Sequence, residues 1–213
     1  VELIIVRHGR PLTERRSQGI ADPSLDEYGI WQAERVCSWL AHEPVDAIIS
    51  SPKARAIETV RPLADHLDLA IDIIEDLDEI DRRSSVYVPT DLWATEATDI
   101  LESLRQGRFD EIGYDRPEVF RQRVHAAWAE LLASRPGVRV VVACHGGTIQ
   151  EILRSVVGDG ASTFSVTVDY ASITRVAATE HGPRMTSLNE TGHFDADRIS
   201  IRGAMNSAST VEP

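Results

Sequence analysis

Two histidines, three arginines and one glutamate of this chain stand where apolar runs give way to polar loops. Arg7-His8-Gly9-Arg10 follows directly on the run from Glu2 to Val6, and Arg55 stands in SSPKAR, just after the run from Asp46 to Ser50. Glu79 lies in LDEI, and His145-Gly146-Gly147 follows VRVVVAC, Val138 to Cys144. Guanidinium forks match the oxygens of a phosphoryl group, and helix N-termini offer free N–H groups to the same anion. A histidine held as one neutral tautomer by a hydrogen bond at one ring nitrogen can attack phosphorus with the other. Arg7, Arg55 and His145 would stabilise the equatorial oxygens as charge redistributes. Glu79 would protonate the leaving oxygen and then take a proton from the hydrolytic water.

Positioning such groups needs an ordered set of elements. Glu2 to Val6, Asp46 to Ser50, Ala70 to Ile74 and Val138 to Cys144 read as short buried strands. Between them lie helical patterns. Ile30, Ala33, Cys37 and Leu40 recur at helical spacing behind Ser24 or Asp26 as cap, and SSPKAR starts a second helix with Ser51 as N-cap and Pro52 in its first turn. Pro62 is expected to kink or shorten that helix. A third spans Asp91 to Gln106. A fourth runs from Asp115 to Ser134, with Phe120, Val124, Ala127, Trp128 and Leu131 on one face. Thr148 and Glu151 have the spacing of a capping box for a fifth, ending near Gly158. Further strands are expected at Phe164 to Val168, Ser172 to Ala178 and Arg184 to Leu188.

Alternation of strands and helices predicts an α/β fold: three layers, α/β/α, around a mostly parallel sheet, with ligands at the carboxyl ends of the strands. Residues 1–194 read as a single domain. The segment 81–114 is an excursion that caps the site, and 195–213, rich in Ser and Ala, is a loose tail. The length of 213 residues suits one such domain, and 42% hydrophobic with 26% charged residues is ordinary for a soluble globular protein.

A net charge of −12 argues against nucleic acid or an anionic membrane as partner. A small phosphorylated substrate is not excluded, because screening over ~8 Å lets a local arginine cluster override the global sign. No apolar run approaches the ~20 residues of a membrane span, and the first residues lack a signal peptide's regions. Cys37 and Cys144 are too few for a disulfide scaffold or a zinc site. A cytoplasmic protein with free thiols is the expectation, with homodimerisation left open by exposed sheet edges. His42, His66, His125, His181 and His193 show no arguable partner.

Taken in order, VRHG at Val6 to Gly9, QGIADPSLDEYGIWQA at Gln18 to Ala33, SSPKARAIET at Ser50 to Thr59, LDEI at Leu77 to Ile80, VACHGGTI at Val142 to Ile149 and LNETGHF at Leu188 to Phe194 resemble the histidine phosphatase superfamily, in its phosphoglycerate-mutase-like branch 1. The resemblance implies His8 as the phosphorylated nucleophile and Glu79 as the proton donor. Arg7, Arg55 and His145 complete the phosphate pocket, with no metal or other cofactor needed. RHGRP also resembles the acid-phosphatase and phytase branch, but that branch places an acid pair late in the chain, where His145 is followed by glycines.

The chain departs from the family pattern at several places. Glu14 stands where the family commonly has Asn touching the phosphate, and an acid there would repel the anion unless its loop turns it outward. IDRRSSVY replaces the usual Gly-x-Trp-Glu-Gly, and GYDRPE replaces Gly-Gly-Glu-Ser. The segments of true glycolytic mutases are not recognisable. The expected activity is hydrolysis of a small phosphomonoester, with a phosphomutase, a phosphoprotein phosphatase and an inactive phospho-ligand-binding scaffold as alternatives. Arg10, Arg82, Arg83, Gln18 and Gly19 are candidate substrate contacts. Glu75, Asp76, Asp78 and Asp81 crowd Glu79, and such an acidic run is also what a solvated loop looks like.

Overall fold

A computed structural model describes residues 1–134, 137–158 and 165–194. Its main sheet has six strands in the order β4-β3-β6-β1-β7-β8: β1 (Glu2–Arg7), β3 (Ala47–Ser50), β4 (Ile71–Ile73), β6 (Arg139–Cys144), β7 (Ile173–Thr179) and β8 (Gly182–Glu190). β4, β3, β6 and β1 are parallel, while β7 and β8 complete one edge antiparallel. The expectation of an α/β fold around a mostly parallel sheet holds.

Strand alternation divides the core in two. Leu3, Ile5, Val140, Val142 and Cys144 face one layer, with α5 (Pro117–Ser134) and α6 (Gly146–Val157) packed over them. Ile4, Val6, Val141 and Ala143 face the other, under α1 (Glu27–Leu40) and α2 (Ala54–Leu67). Both central strands are therefore apolar on both faces, which is why they read as unbroken apolar runs. On α5, Phe120, Val124, Ala127, Trp128 and Leu131 are all buried, as their spacing predicted. Cys144 lies in this core, with its thiol pushed up by burial.

Several local expectations are corrected. Of the two expected caps of α1 it is Asp26 that serves, accepting from Gly29 N–H at 2.7 Å. α2 begins at Ala54 with Lys53 as N-cap, so Ser51 is freed from capping and Pro52 precedes the helix. Pro62 does not shorten it: the helix continues to Leu67. Thr148 is no cap either, because α6 already starts at Gly146. Its hydroxyl instead reaches the carbonyls of Leu77 and Asp78, and Glu151 pairs with Arg121 and Arg154. Residues 165–168 form no strand, and Phe164 and residues 195–213 lie outside the described residues. His193 Nε2–H donates to the Ala171 carbonyl at 2.9 Å, a structural role that sequence spacing did not reveal.

The segment 81–114 holds two short helices, α3 (Trp93–Glu96) and α4 (Thr98–Arg105), in place of the single helix expected there. It has its own small apolar cluster of Val88, Ala97, Ile100 and Tyr114. A two-residue ribbon ties it down: β2 (Glu14–Arg15) pairs with β5 (Val86–Tyr87). No helix among the described residues is long and apolar enough to cross a membrane.

Where the loop after β1 crosses α1, backbone meets backbone. A Cβ on Gly29 would lie 2.0 Å from the Arg10 carbonyl oxygen. Gly29→Ala is therefore expected to destabilise the fold by about 2–3 kcal/mol, through the shift it forces on the loop carrying His8. Urea unfolding of the two proteins, with unchanged slope, would show it.

Candidate active site

The sheet register creates the site. Arg7 pairs with Cys144 across β1 and β6, and His8 N–H donates to the Cys144 carbonyl at 2.9 Å. His8 and His145 thus leave neighbouring strands side by side, with ring centroids 5.1 Å apart. Such adjacency at the carboxyl ends of parallel strands follows from the strand order, since β6 inserts between β1 and β3.

His8 is buried, and its Nδ1 stands 2.8 Å from the Gly9 carbonyl oxygen. A carbonyl only accepts, so Nδ1 carries the proton and Nε2 keeps its lone pair. Burial, then Arg55 and Arg7, push the His8 pKa well below the ordinary histidine value, so the ring is neutral at physiological pH. Gly9 N–H is fixed in turn by Thr59 Oγ1 at 2.8 Å.

Arg55 sits on the first turn of α2, only 1% exposed, and none of its three guanidinium nitrogens has a hydrogen-bond partner. Its neighbours are Asp81 at 3.6 Å, Asp22 at 3.9 Å and the face of Tyr87 at 4.3 Å. Arg7 is better tethered: it donates to the Val168 carbonyl at 2.6 Å and to Thr90 Oγ1 at 3.1 Å, and it lies 3.9 Å over the Tyr170 ring. Its Nε is unpartnered.

Glu79 faces this cationic floor. Its Oε1 accepts from Ile80 N–H and its Oε2 from Gly147 N–H, both at 2.8 Å, so the carboxyl rests on the N-terminus of α6. Burial and the neighbouring Asp81 nevertheless raise its pKa to about 7, against the lowering effect of those N–H groups and Arg55. Near neutral pH it populates both protonation states.

His145 lies behind His8, wholly buried, and does not reach the cavity wall. Its Nε2 is 2.6 Å from Ser51 Oγ, which also accepts from Lys53 N–H at 3.3 Å. The other ring nitrogen of His145, Nδ1, has no hydrogen-bond partner. Burial and the surrounding cations depress the pKa of His145 as well.

Arg7, His8, Arg55 and Glu79 line one cavity of about 350 Å³, walled on its far side by the segment 81–114. The other sequence candidates stand elsewhere. Arg10 is held by Asp26 and Asp91. Arg82 pairs with Asp115 and Asp76, and Arg83 with Asp115. Gln18 and Gly19 are exposed and line no part of the cavity. Glu14 is turned outward: Arg16 and the Asp22 N–H occupy its two oxygens. Sequence reasoning missed Ser51, Asp81, Tyr87, Thr90 and Tyr170. Asp81 was hidden in an acidic run and Ser51 behind a plausible cap, while nothing in the chain marks Tyr87, Thr90 or Tyr170. Among the described residues, no group of three or more His, Cys, Asp or Glu is placed to hold a metal ion.

A bare buried guanidinium, a neutral histidine with a free nitrogen and a proton-carrying carboxyl around one cavity fit a tetrahedral oxyanion undergoing transfer. The profile of the histidine phosphatase superfamily (branch 1) matches residues 3–191. The chain belongs to that superfamily. It is 26% identical, over 92% of its length and 97% of the relative's, to a probable phosphatase of Schizosaccharomyces pombe. It is 29% identical, over 74% of its length and 75% of the relative's, to a probable phosphoglycerate mutase, GpmB, of Yersinia pestis. The crystal structure of the alpha-ribazole phosphatase from Shigella flexneri has the same fold: TM-score 0.70, 20% identity, 89% of this chain and 96% of that one covered.

Gly147 must lack a side chain for Glu79 to dock, since a Cβ there would lie 2.3 Å from Glu79 Oε1. Gly147→Ala is expected to destabilise the protein by about 1–3 kcal/mol through the displaced carboxyl. In a Glu79→Ala background most of that loss should vanish, giving a coupling energy of at least ~1 kcal/mol in a double-mutant cycle read by urea unfolding.

Proposed function

We propose that the protein is a phosphatase that hydrolyses a small phosphomonoester through a phosphohistidine on His8. The observation that carries this reading is Arg55, a buried cation with three unpartnered nitrogens beside the free Nε2 of His8. Buried donors are left without partners where a ligand supplies them. The phosphoryl oxygens match the bare nitrogens of Arg55 and the Nε of Arg7, both of which line the cavity beside His8. The outward turn of Glu14 removes the one sequence feature that favoured an inactive scaffold.

In the first step Nε2 of His8 attacks phosphorus. The N–P bond forms as the ester P–O bond breaks, and the leaving oxygen takes the proton of Glu79. In the second, the Glu79 carboxylate takes a proton from water, whose oxygen bonds to phosphorus as the N–P bond breaks and inorganic phosphate departs. Arg55 and Arg7 hold the equatorial oxygens through both steps, so they oppose no change in total charge and need no reorganisation. The relative named a phosphatase, matched over nearly its whole length, agrees with hydrolysis as the outcome.

p-Nitrophenyl phosphate hydrolysis in excess EDTA tests the reading. Wild type should turn over, and His8→Ala should retain less than about a thousandth of that rate. Chelator-sensitive turnover, or turnover that survives the substitution, would sink it. Glu79→Gln should still release one equivalent of nitrophenol in a burst, because this leaving group needs no acid, while steady turnover falls about 10²–10⁴-fold.

The pH dependence has a definite sign. Glu79 is needed as an acid for an alkyl ester, and its pKa of about 7 means the protonated fraction falls as pH rises through neutrality. His8, with its pKa depressed, stays in its reactive neutral form throughout. Alkyl-phosphate turnover should therefore fall about tenfold per pH unit well above pH 7. A rate for alkyl esters that climbs from pH 7 to 9 would exclude Glu79 as the acid.

A further inference from the structure

Beyond the phosphoryl floor, the cavity carries no positive charge among the described residues. Arg7 and Arg55 are its only lining cations among the described residues, and both line it together with His8. The other cations that the sequence offered as substrate contacts, and Lys53 near them, are held by protein carboxylates or carbonyls. Arg10 is held by Asp26 and Asp91, and Arg82 and Arg83 by Asp115. Lys53, buried beneath, reaches the Arg82 carbonyl at 3.1 Å and Asp78 at 3.7 Å. Two carboxyls, Glu79 and Asp81, lie on the wall instead.

Away from the phosphoryl floor the lining is mostly rings and branched aliphatics, Trp93, Tyr114, Ile80, Val88 and Val166, with the uncharged polar Gln150, Ser165 and Thr167 among them. The indole of Trp93 is pinned, its Nε1–H donating to the Val88 carbonyl at 2.8 Å, and Tyr114 and Val88 are buried in the cluster that folds the segment 81–114. The Trp93, Tyr114 and Val88 part of the wall is thus packed and hydrogen-bonded within the protein itself.

From this charge distribution, and resting on the phosphatase reading above, we infer that the substrate is a phosphomonoester of an uncharged alcohol with an apolar, preferably ring-bearing body. Substrates with a second anionic group beside the ester, such as a phosphoglycerate or a phosphoamino acid, are selected against. A carboxylate placed there would be desolvated, unpaired, and close to Glu79 and Asp81. An aromatic body would stack or pack edge-on against Trp93 and Tyr114. The specificity is therefore negative as well as positive, set by the absence of a cation where a charged leaving group would need one.

The test compares benzyl phosphate with 3-phosphoglycerate, two esters of aliphatic alcohols, so that leaving-group reactivity does not decide the outcome. Wild type should show kcat/KM at least about a hundredfold higher for benzyl phosphate. Trp93→Ala should raise KM for benzyl phosphate roughly tenfold with little change in kcat, and leave methyl phosphate unaffected. Val166→Lys, which adds a cation to the wall without removing the aromatic frame, should narrow the preference by improving 3-phosphoglycerate. Equal or better hydrolysis of 3-phosphoglycerate by wild type overturns the inferred substrate class and leaves the phosphatase reading standing. If neither ester is hydrolysed and p-nitrophenyl phosphate gives no burst, the reading of the site falls and the inference with it.

Discussion

Arg55 is a guanidinium buried to 1% exposure with no hydrogen bond of its own, and the rest of the structure is arranged around that fact. An unpaired charge in a protein interior costs several kcal/mol unless something compensates. Here compensation is diffuse: the Tyr87 face on one side, Asp81 at 3.6 Å and Asp22 at 3.9 Å on others. None of these forms a directed hydrogen bond with the guanidinium, so its donors remain available. Tyr87 and Asp81 come from the segment 81–114, which gives that segment an electrostatic task besides walling the cavity. Its links to the floor are consistent with such a role: Thr90 meets Arg7, Asp91 meets Arg10, and Thr90 meets Tyr170.

The two arginines act on the titratable groups in opposite senses. Beside burial, the larger cause, they help hold His8 and His145 neutral by making a further positive charge unfavourable. Arg55, with the N–H groups of Ile80 and Gly147, also draws the Glu79 pKa down, and without a counterweight that carboxyl would be fully ionised near neutrality. Burial and Asp81 supply the counterweight and bring it back to about 7. One local field thus yields a neutral base and a carboxyl able to exist as acid, a division that depends on Asp81 lying near both Glu79 and Arg55.

Much of this was legible in the chain. The apolar runs Glu2 to Val6 and Val138 to Cys144 identify buried parallel strands because both faces of β1 and β6 are covered. The α5 face was readable because its period is set by the helix alone. Where expectation failed, a local signal competed with a tertiary partner. Ser51 has the chemistry of a cap, but a buried imidazole 2.6 Å away claims its hydroxyl. Thr148 and Glu151 have the spacing of a capping box, but His145 already stands at the N-cap of α6.

By itself the sequence determined the residue types that can do the chemistry and the strand ends on which Arg7, His8 and His145 stand, since these follow from local apolar patterning. Tertiary structure alone decided the fate of the charges. Arg10, Arg82 and Arg83 were candidate substrate contacts beside Arg55, yet Asp26, Asp91 and Asp115 take up the first three at closer range, while the guanidinium nitrogens of Arg55 keep no hydrogen-bond partner. Pairing between residues 16 to 81 positions apart has no periodicity to betray it, because it depends on which loops the packed layers bring together.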